Sequence, residues 1–289
     1  MTMTLNMPGT MGGATVSFSY SDYNQEKVGI IGLGYVGNAV RESMNGSMIT
    51  LVLLDPAKQL NATYEELAEC SGIFICVPSP QNSDGSCDTG ILDYVLEHLD
   101  KVKYKGVIIS KCTIPPDVYE ALNTRYPNLV HVPEFLTAAN ATQDYLAGKF
   151  AFIGGRVGAY QREAERLVKL GQGSLENIHY CTIGEAAFAK YALNSFMATK
   201  VVFMNELYNL SHALGINYNK VASMIKVDPR IGKSHMQVPG PDGIFGFGGA
   251  CFPKDTSALL KFAEQHNVQM NVLDAAVKKN TLLRLTEPK

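Results

Sequence analysis

Val28-Gly29-Ile30-Ile31-Gly32-Leu33-Gly34-Tyr35-Val36-Gly37-Asn38-Ala39-Val40-Arg41-Glu42 is the stretch that decides the fold. An apolar, β-rich run ends in a Gly-x-Gly-x-x-Gly turn, and a helical pattern follows at once. Strand, glycine turn and helix in that order make the phosphate-binding corner of a dinucleotide-binding unit. Gly32 permits the tight turn, Gly34 lets a pyrophosphate approach the backbone, and Gly37 allows close packing of helix on strand. Tyr35 and Val36 open the helix, whose free N–H groups then face the phosphates. Asp55 stands 23 residues after Gly32, at the end of a second apolar run. Its carboxylate would accept hydrogen bonds from the adenosine ribose and repel a 2′-phosphate, so NAD is expected over NADP.

Outward from that corner, short apolar runs recur at Ile49–Leu54, Ile73–Val77, Val107–Ser110, Val130–Val132 and Phe150–Ile153. Their crossover-length spacing predicts a parallel sheet with helices on both faces, closed by a helix at Tyr160–Gly171. Thr182-Ile183-Gly184-Glu185 then fits a capping box. Helical residues run from there to Leu214, where Gly215 supplies a left-handed stop. Such a helix spans on the order of 45 Å. It is apolar nearly all round, which suits either a domain core or a dimer seam. A polar helix at Tyr218–Ile225, the loop Pro239–Gly249, and helices at Thr256–Gln265 and Val272–Leu285 complete the pattern. The expected fold class is α/β. A loose N-terminal extension (1–26) precedes a Rossmann domain with a parallel sheet (27–181), and an all-α domain built on one long helix follows (182–289).

Composition narrows the function classes. Lys plus Arg is 25 against 27 for Asp plus Glu, and the charges are scattered, so nothing calls for nucleic acid or an anionic membrane. The most apolar stretch, Ala186–Met204, contains Lys190, Asn194 and Lys200, too polar for a lipid-facing span. Six cysteines without metal-ligand spacing point to a reducing cytoplasm and no metal. The first twenty residues lack the pattern of a signal peptide.

Cys251 lies in Gly248-Gly249-Ala250-Cys251-Phe252-Pro253-Lys254-Asp255. A lone cysteine is more often a small buried hydrophobe than a nucleophile. Here the glycines admit a ligand, Lys254 could help hold a thiolate, and Asp255 is a candidate base. Lys190 and Asn194, four apart, share one face of the long helix. Spacing alone favours a snorkelling lysine there.

Taken together, these residues resemble the UDP-glucose/GDP-mannose dehydrogenase family over nearly all of 27–285. The motifs are Gly32–Gly37, Phe74-Ile75-Cys76-Val77-Pro78-Ser79-Pro80, Lys111-Cys112-Thr113-Ile114-Pro115-Pro116, Pro133-Glu134-Phe135-Leu136, Lys190-Tyr191-Ala192-Leu193-Asn194, Asp228-Pro229-Arg230-Ile231-Gly232 and Gly246–Asp255. The resemblance implies a four-electron oxidation of a nucleotide-sugar C6 alcohol, with UDP-glucose going to UDP-glucuronate and two NAD reduced. Cys251 would add to the intermediate aldehyde. Lys190 and Asn194 would stabilise the oxyanion, Asp255 and Thr113 would hold the water that acts as base, and Glu134 would assist thioester hydrolysis. Val77, Pro78, Ser79, Thr113 and Lys254 match cofactor positions. Phe135, Leu136, Phe245, Gly246 and Gly248 join Glu134, Lys190 and Asn194 at the sugar. Arg230 would reach it across a homodimer built on the 184–214 helix.

Two departures from the family pattern matter. Ala138 replaces a second glutamate, which puts one cofactor or water contact in doubt. The chain also ends where relatives continue into a nucleotide-binding C-terminal domain, which a separate protein could supply. Two alternatives therefore stand beside the main reading: the same redox chemistry on a smaller sugar, or a non-catalytic NAD-binding protein left after domain loss. A 6-phosphogluconate-type dehydrogenase shares the two-domain plan, but its chemistry needs no cysteine.

Overall fold

The computed structural model describes residues 25–285. Of the expected N-terminal extension, residues 1–24 lie outside that range, while Glu26 already belongs to the first strand. Eight strands form one sheet in the order β3-β2-β1-β4-β5-β6-β7-β8. At its centre are β1 (Glu26–Ile31), β4 (Gly72–Ile75) and β5 (Val107–Ser110). All four residues of β4 and of β5 are buried, because helices cover both faces. This explains why these strands read as continuous apolar runs rather than alternating ones.

The expected parallel register holds from β2 (Ile49–Asp55) through β1, β4 and β5 to β6 (Leu129–His131), and again between β7 (Phe150–Gly154) and β8 (Asn177–Cys181). The sheet is nevertheless mixed. Two-residue β3 (Leu60–Asn61) returns antiparallel on β2, since the 3-10 turn Pro56–Lys58 is too short for a crossover. β6 and β7 also meet antiparallel, through the single pair His131↔Gly154. Strands β3 and β8 escaped the pattern reading because they are edges. The outermost strand β8 pairs only with β7 and keeps Asn177, His179 and Tyr180 exposed, so it needs no apolar run.

Each face of the sheet carries its own core. On one side α3 (Gly90–Lys101) buries Leu92, Val95, Leu96 and Leu99, the i, i+3, i+4, i+7 stripe of an amphipathic helix. On the other, α1 (Tyr35–Ser43) and α6 (Ala159–Gly171) bury Ala39, Val40, Ala164, Leu167 and Val168 against Val28, Ile30 and Phe74. Full burial of each large aliphatic or aromatic side chain contributes about 1.5–3 kcal/mol. The loops after β1 and β4 leave adjacent strands and open a crevice at their carboxyl ends, where Cys76 N–H extends the ladder to Ile31 O at 2.8 Å.

The second region hangs on α7 (Ile183–Ala213). Its capping box is formed: Thr182 Oγ1 accepts from Glu185 N–H at 3.1 Å, and the Glu185 carboxylate accepts from Thr182 N–H at 2.7 Å. Gly215, at φ +66°, follows the end of the helix. α7 packs on α4 (Pro116–Arg125), α9 (Phe252–Gln265), α10 (Asn271–Arg284) and β7, yet leaves Phe188, Phe196, Phe203, Leu210 and Leu214 exposed. α8 (Tyr218–Ile225) and the loop 239–249 pack on the far half of α7. Among the described residues no helix is long and apolar enough to cross a membrane.

Candidate active site

A cavity of about 1060 Å³ opens at the carboxyl ends of β1, β4 and β5 and reaches the start of α9. At one end lies the glycine turn, and each glycine there behaves as its position demands. Gly32 sits at φ +83°, and a Cβ on it would come within 2.8 Å of Cys76 O. A Cβ on Gly37 would lie 1.9 Å from Gly32 O, so only glycine lets α1 approach. A Cβ on Gly34 would meet nothing within 4 Å, which leaves space above the backbone for a phosphate group. Asp55 Oδ2 accepts from Leu33 N–H at 2.7 Å, and Asp55 lines the cavity. Tyr35, Val36, Val77, Pro78, Ser79 and Thr113 line the same space, and Ser79 Oγ donates to Thr113 O at 2.9 Å. These residues fit a dinucleotide.

At the other end the cavity meets Cys251, Lys254 and Thr113. Cys251 is exposed and caps α9, with Pro253 in the first turn, where a missing N–H does no harm. The positive end of the helix and the Lys254 ammonium make this a place that suits an anion.

Behind Cys251 sits a buried polar layer. Asn194 Nδ2 donates to Asp255 Oδ2 at 2.5 Å. Lys254 Nζ approaches Asp255 Oδ1 at 2.7 Å as an ion pair without hydrogen-bond alignment. Lys190 is 7% exposed, so its ammonium does not snorkel. It donates instead to the main-chain carbonyl of Glu134 and lies 4.8 Å from the centre of the Phe135 ring. Burial pulls the Lys190 pKa below the ordinary lysine range, partly opposed by Asp255, Glu134 and Cys251. The Glu134 carboxylate accepts from Phe135 N–H at 2.9 Å and pairs with Lys111 at 3.2 Å.

Lys190, Asn194, Glu134, Phe135 and Asp255 lie behind the cavity wall rather than on it, and the remaining expected sugar contacts do not line the cavity either. Phe245 is buried in the core beside Tyr208, and Gly246 N–H donates to Asn205 Oδ1. Gly248 packs under the Arg284 guanidinium. Leu136 leans on the sheet core. Arg230 holds Asp228, and its side chain is 86% exposed. Conversely, Lys111, Lys58, Ile91 and Tyr94 line the cavity without having been singled out. Lys111 directly precedes Cys112-Thr113, and a lysine at the end of a fully buried strand was the available signal.

Residues 56–170 match the NAD binding domain of the UDP-glucose/GDP-mannose dehydrogenase family, and residues 184–282 match its central domain. The chain belongs to that family. The UDP-glucose 6-dehydrogenase of Rickettsia conorii is 32% identical over 238 residues, which are 78% of this chain and 52% of that protein. This member of the family thus spans about half the length of the curated relatives it matches. A UDP-glucose dehydrogenase from Pyrobaculum islandicum superimposes with a TM-score of 0.74 at 24% identity, over 92% of this chain and 70% of that one. A 3-hydroxyisobutyrate dehydrogenase from Mycobacterium tuberculosis does so with a TM-score of 0.71 at 16% identity, over 88% and 92%. Both likenesses speak for the fold alone. The family's NAD binding domain is matched only from Pro56 onward, so the Gly32–Gly37 cradle rests on its own geometry.

Proposed function

We propose that this chain carries out the NAD-dependent oxidation of a nucleotide-sugar C6 alcohol to the acid, with UDP-glucose as substrate. The observation that carries this reading is the exposed Cys251 thiol at one end of the cavity whose other end is the Gly32–Gly37 cradle. NAD, when bound, supplies the hydride acceptor for each of two oxidations. Asp255 and Thr113 hold a water that takes the C6 hydroxyl proton as the alcohol becomes an aldehyde. Cys251 sulfur then bonds to the aldehyde carbon as the carbonyl oxygen becomes an oxyanion, making a tetrahedral thiohemiacetal whose remaining C–H hydrogen can leave as hydride, so the second oxidation leaves a thioester. Lys190 and Asn194 stabilise the oxyanion on that carbon. Glu134, steadied by Lys111, directs the water that breaks the C–S bond and frees the acid. Ser79, Val77, Pro78 and Lys254 border the cofactor, while Phe135 and Leu136 shape the sugar end.

We further propose two domains, 27–181 and 182–289, and a homodimer through α7. Phe188, Phe196, Phe203, Leu210 and Leu214 leave that helix with an unpaired apolar face, which a second copy would cover. Arg230 does not line the cavity of its own chain and its side chain is exposed, as suits a residue serving a partner's sugar site. Phe245, Gly246 and Gly248 then act by shaping the loop that ends in Cys251. The test is purified protein with NAD and a panel of UDP- and GDP-sugars, following NADH absorbance. Turnover of UDP-glucose supports the reading, and silence across the panel with NAD bound opposes it.

A further inference from the structure

Lys200 lies on α7 six residues beyond Asn194, with only 8% of its surface exposed. No carboxylate stands within ion-pair distance of it among the described residues. Its ammonium donates instead to three main-chain carbonyls: Ile231 O at 3.0 Å, Gly232 O at 3.2 Å and Ser234 O at 2.7 Å. Three N–H donors thus meet three acceptors, all from one short segment.

The segment is folded to make this possible. Gly232 at φ +70° and His235 at φ +61° turn the chain so that the carbonyls converge. Its start is a turn after α8, with Asp228 N–H on Ile225 O, and its end is tied by Tyr218 OH on Met236 O at 2.7 Å. Outward, the segment presents Arg230. Inward, the His235 ring packs on Phe252 at 5.3 Å, the residue next to Cys251. A buried cation held by neutral carbonyls lacks the compensation of an ion pair. What this lysine secures is the shape of the segment.

We propose that Lys200 is a positioning residue that gathers these three carbonyls, fixes the 228–235 turn, and so sets Arg230 for the nucleotide sugar. This inference rests on the reading of Arg230 as a sugar contact. It is tested in the intact chain by steady-state kinetics of Lys200→Ala, Lys200→Gln and Arg230→Ala. Lys200→Ala raises the UDP-glucose KM about tenfold or more, with kcat falling less and the NAD KM unchanged. Ethylammonium, which can enter the vacated carbonyl site, lowers that KM again, whereas tetramethylammonium at equal ionic strength, with no N–H to donate, does not. Should Arg230→Ala raise the KM while Lys200→Ala stays within about twofold of the parent, the positioning role is wrong. Arg230→Ala without effect refutes the sugar-contact reading instead. Loss of folding in both Lys200 variants, seen by circular dichroism, makes Lys200 a stability residue and overturns the proposal.

Discussion

Asn194 donates to the Asp255 carboxylate at 2.5 Å, tying the middle of the long helix to the first turn of the helix that Cys251 caps. The same carboxylate holds Lys254 at 2.7 Å, with Asp255 almost wholly buried. Removing the carboxylate in Asp255→Ala strands both partners. Breaking a buried pair from one side costs about 3 kcal/mol. We expect the urea midpoint to fall with the m value unchanged. An unmoved midpoint would show that the layer is not mutually supporting.

Lys190 sets a pH dependence whose sign follows from its burial. Its folded-state pKa is depressed, so the unfolded chain binds this proton more tightly. The protonated lysine therefore costs stability below its folded pKa, and that penalty fades as pH rises toward about 10.4. The stability of the parent relative to Lys190→Met should rise with pH from the depressed folded pKa up to the unfolded value of about 10.4. Oxyanion stabilisation needs the charged form, so activity should fall over the same range. Denaturant titrations and rates across that range check both trends, and a difference that falls with pH contradicts the assignment.

His131 gives an opposite edge. Burial pushes its pKa down to about 3, and Nε2 has no hydrogen-bond partner among the described residues. Its unfolded value is about 6.5, so the unfolded state gains a proton first as pH falls. Stability present above about pH 6.5 is lost progressively toward the folded pKa, with a slope approaching 1.4 kcal/mol per pH unit. In His131→Phe, which keeps the ring stacked on Tyr119, that contribution between about pH 6.5 and 5 should vanish. An unchanged slope in the variant would rule this out.

Much of this was legible from residues. The Gly32–Gly37 turn, the Asp55 strand end and the Thr182 capping box declare themselves because each is a local pattern with one structural use. The burial of Lys190 was not legible. Spacing shows only that it shares a face with Asn194, and it is the tertiary approach of the Glu134 carbonyl that makes an inward lysine satisfiable. The same limit hid Lys111, whose partner Glu134 is 23 residues away. Edge strand β8 was missed because a strand with one neighbour carries no hydrophobic signature.

Cofactor choice follows from Asp55. With Oδ2 held by Leu33 N–H, the carboxylate is fixed on the cavity wall, and the proposed ribose contact there would set it against a 2′-phosphate. NAD should be preferred by kcat/KM, and Asp55→Ala should narrow the gap to NADP by about tenfold, roughly 1.4 kcal/mol. A parent enzyme that prefers NADP would reverse this account of the cofactor end.

The covalent role of Cys251 is the central claim, and the yield of NADH per UDP-glucose consumed tests it most directly. The parent chain should release two NADH for each UDP-glucuronate formed. Cys251→Ala should still bind NAD, because its cradle lies at the far end of the cavity, and should form no UDP-glucuronate. Two NADH and one acid per substrate from Cys251→Ala would contradict the account outright.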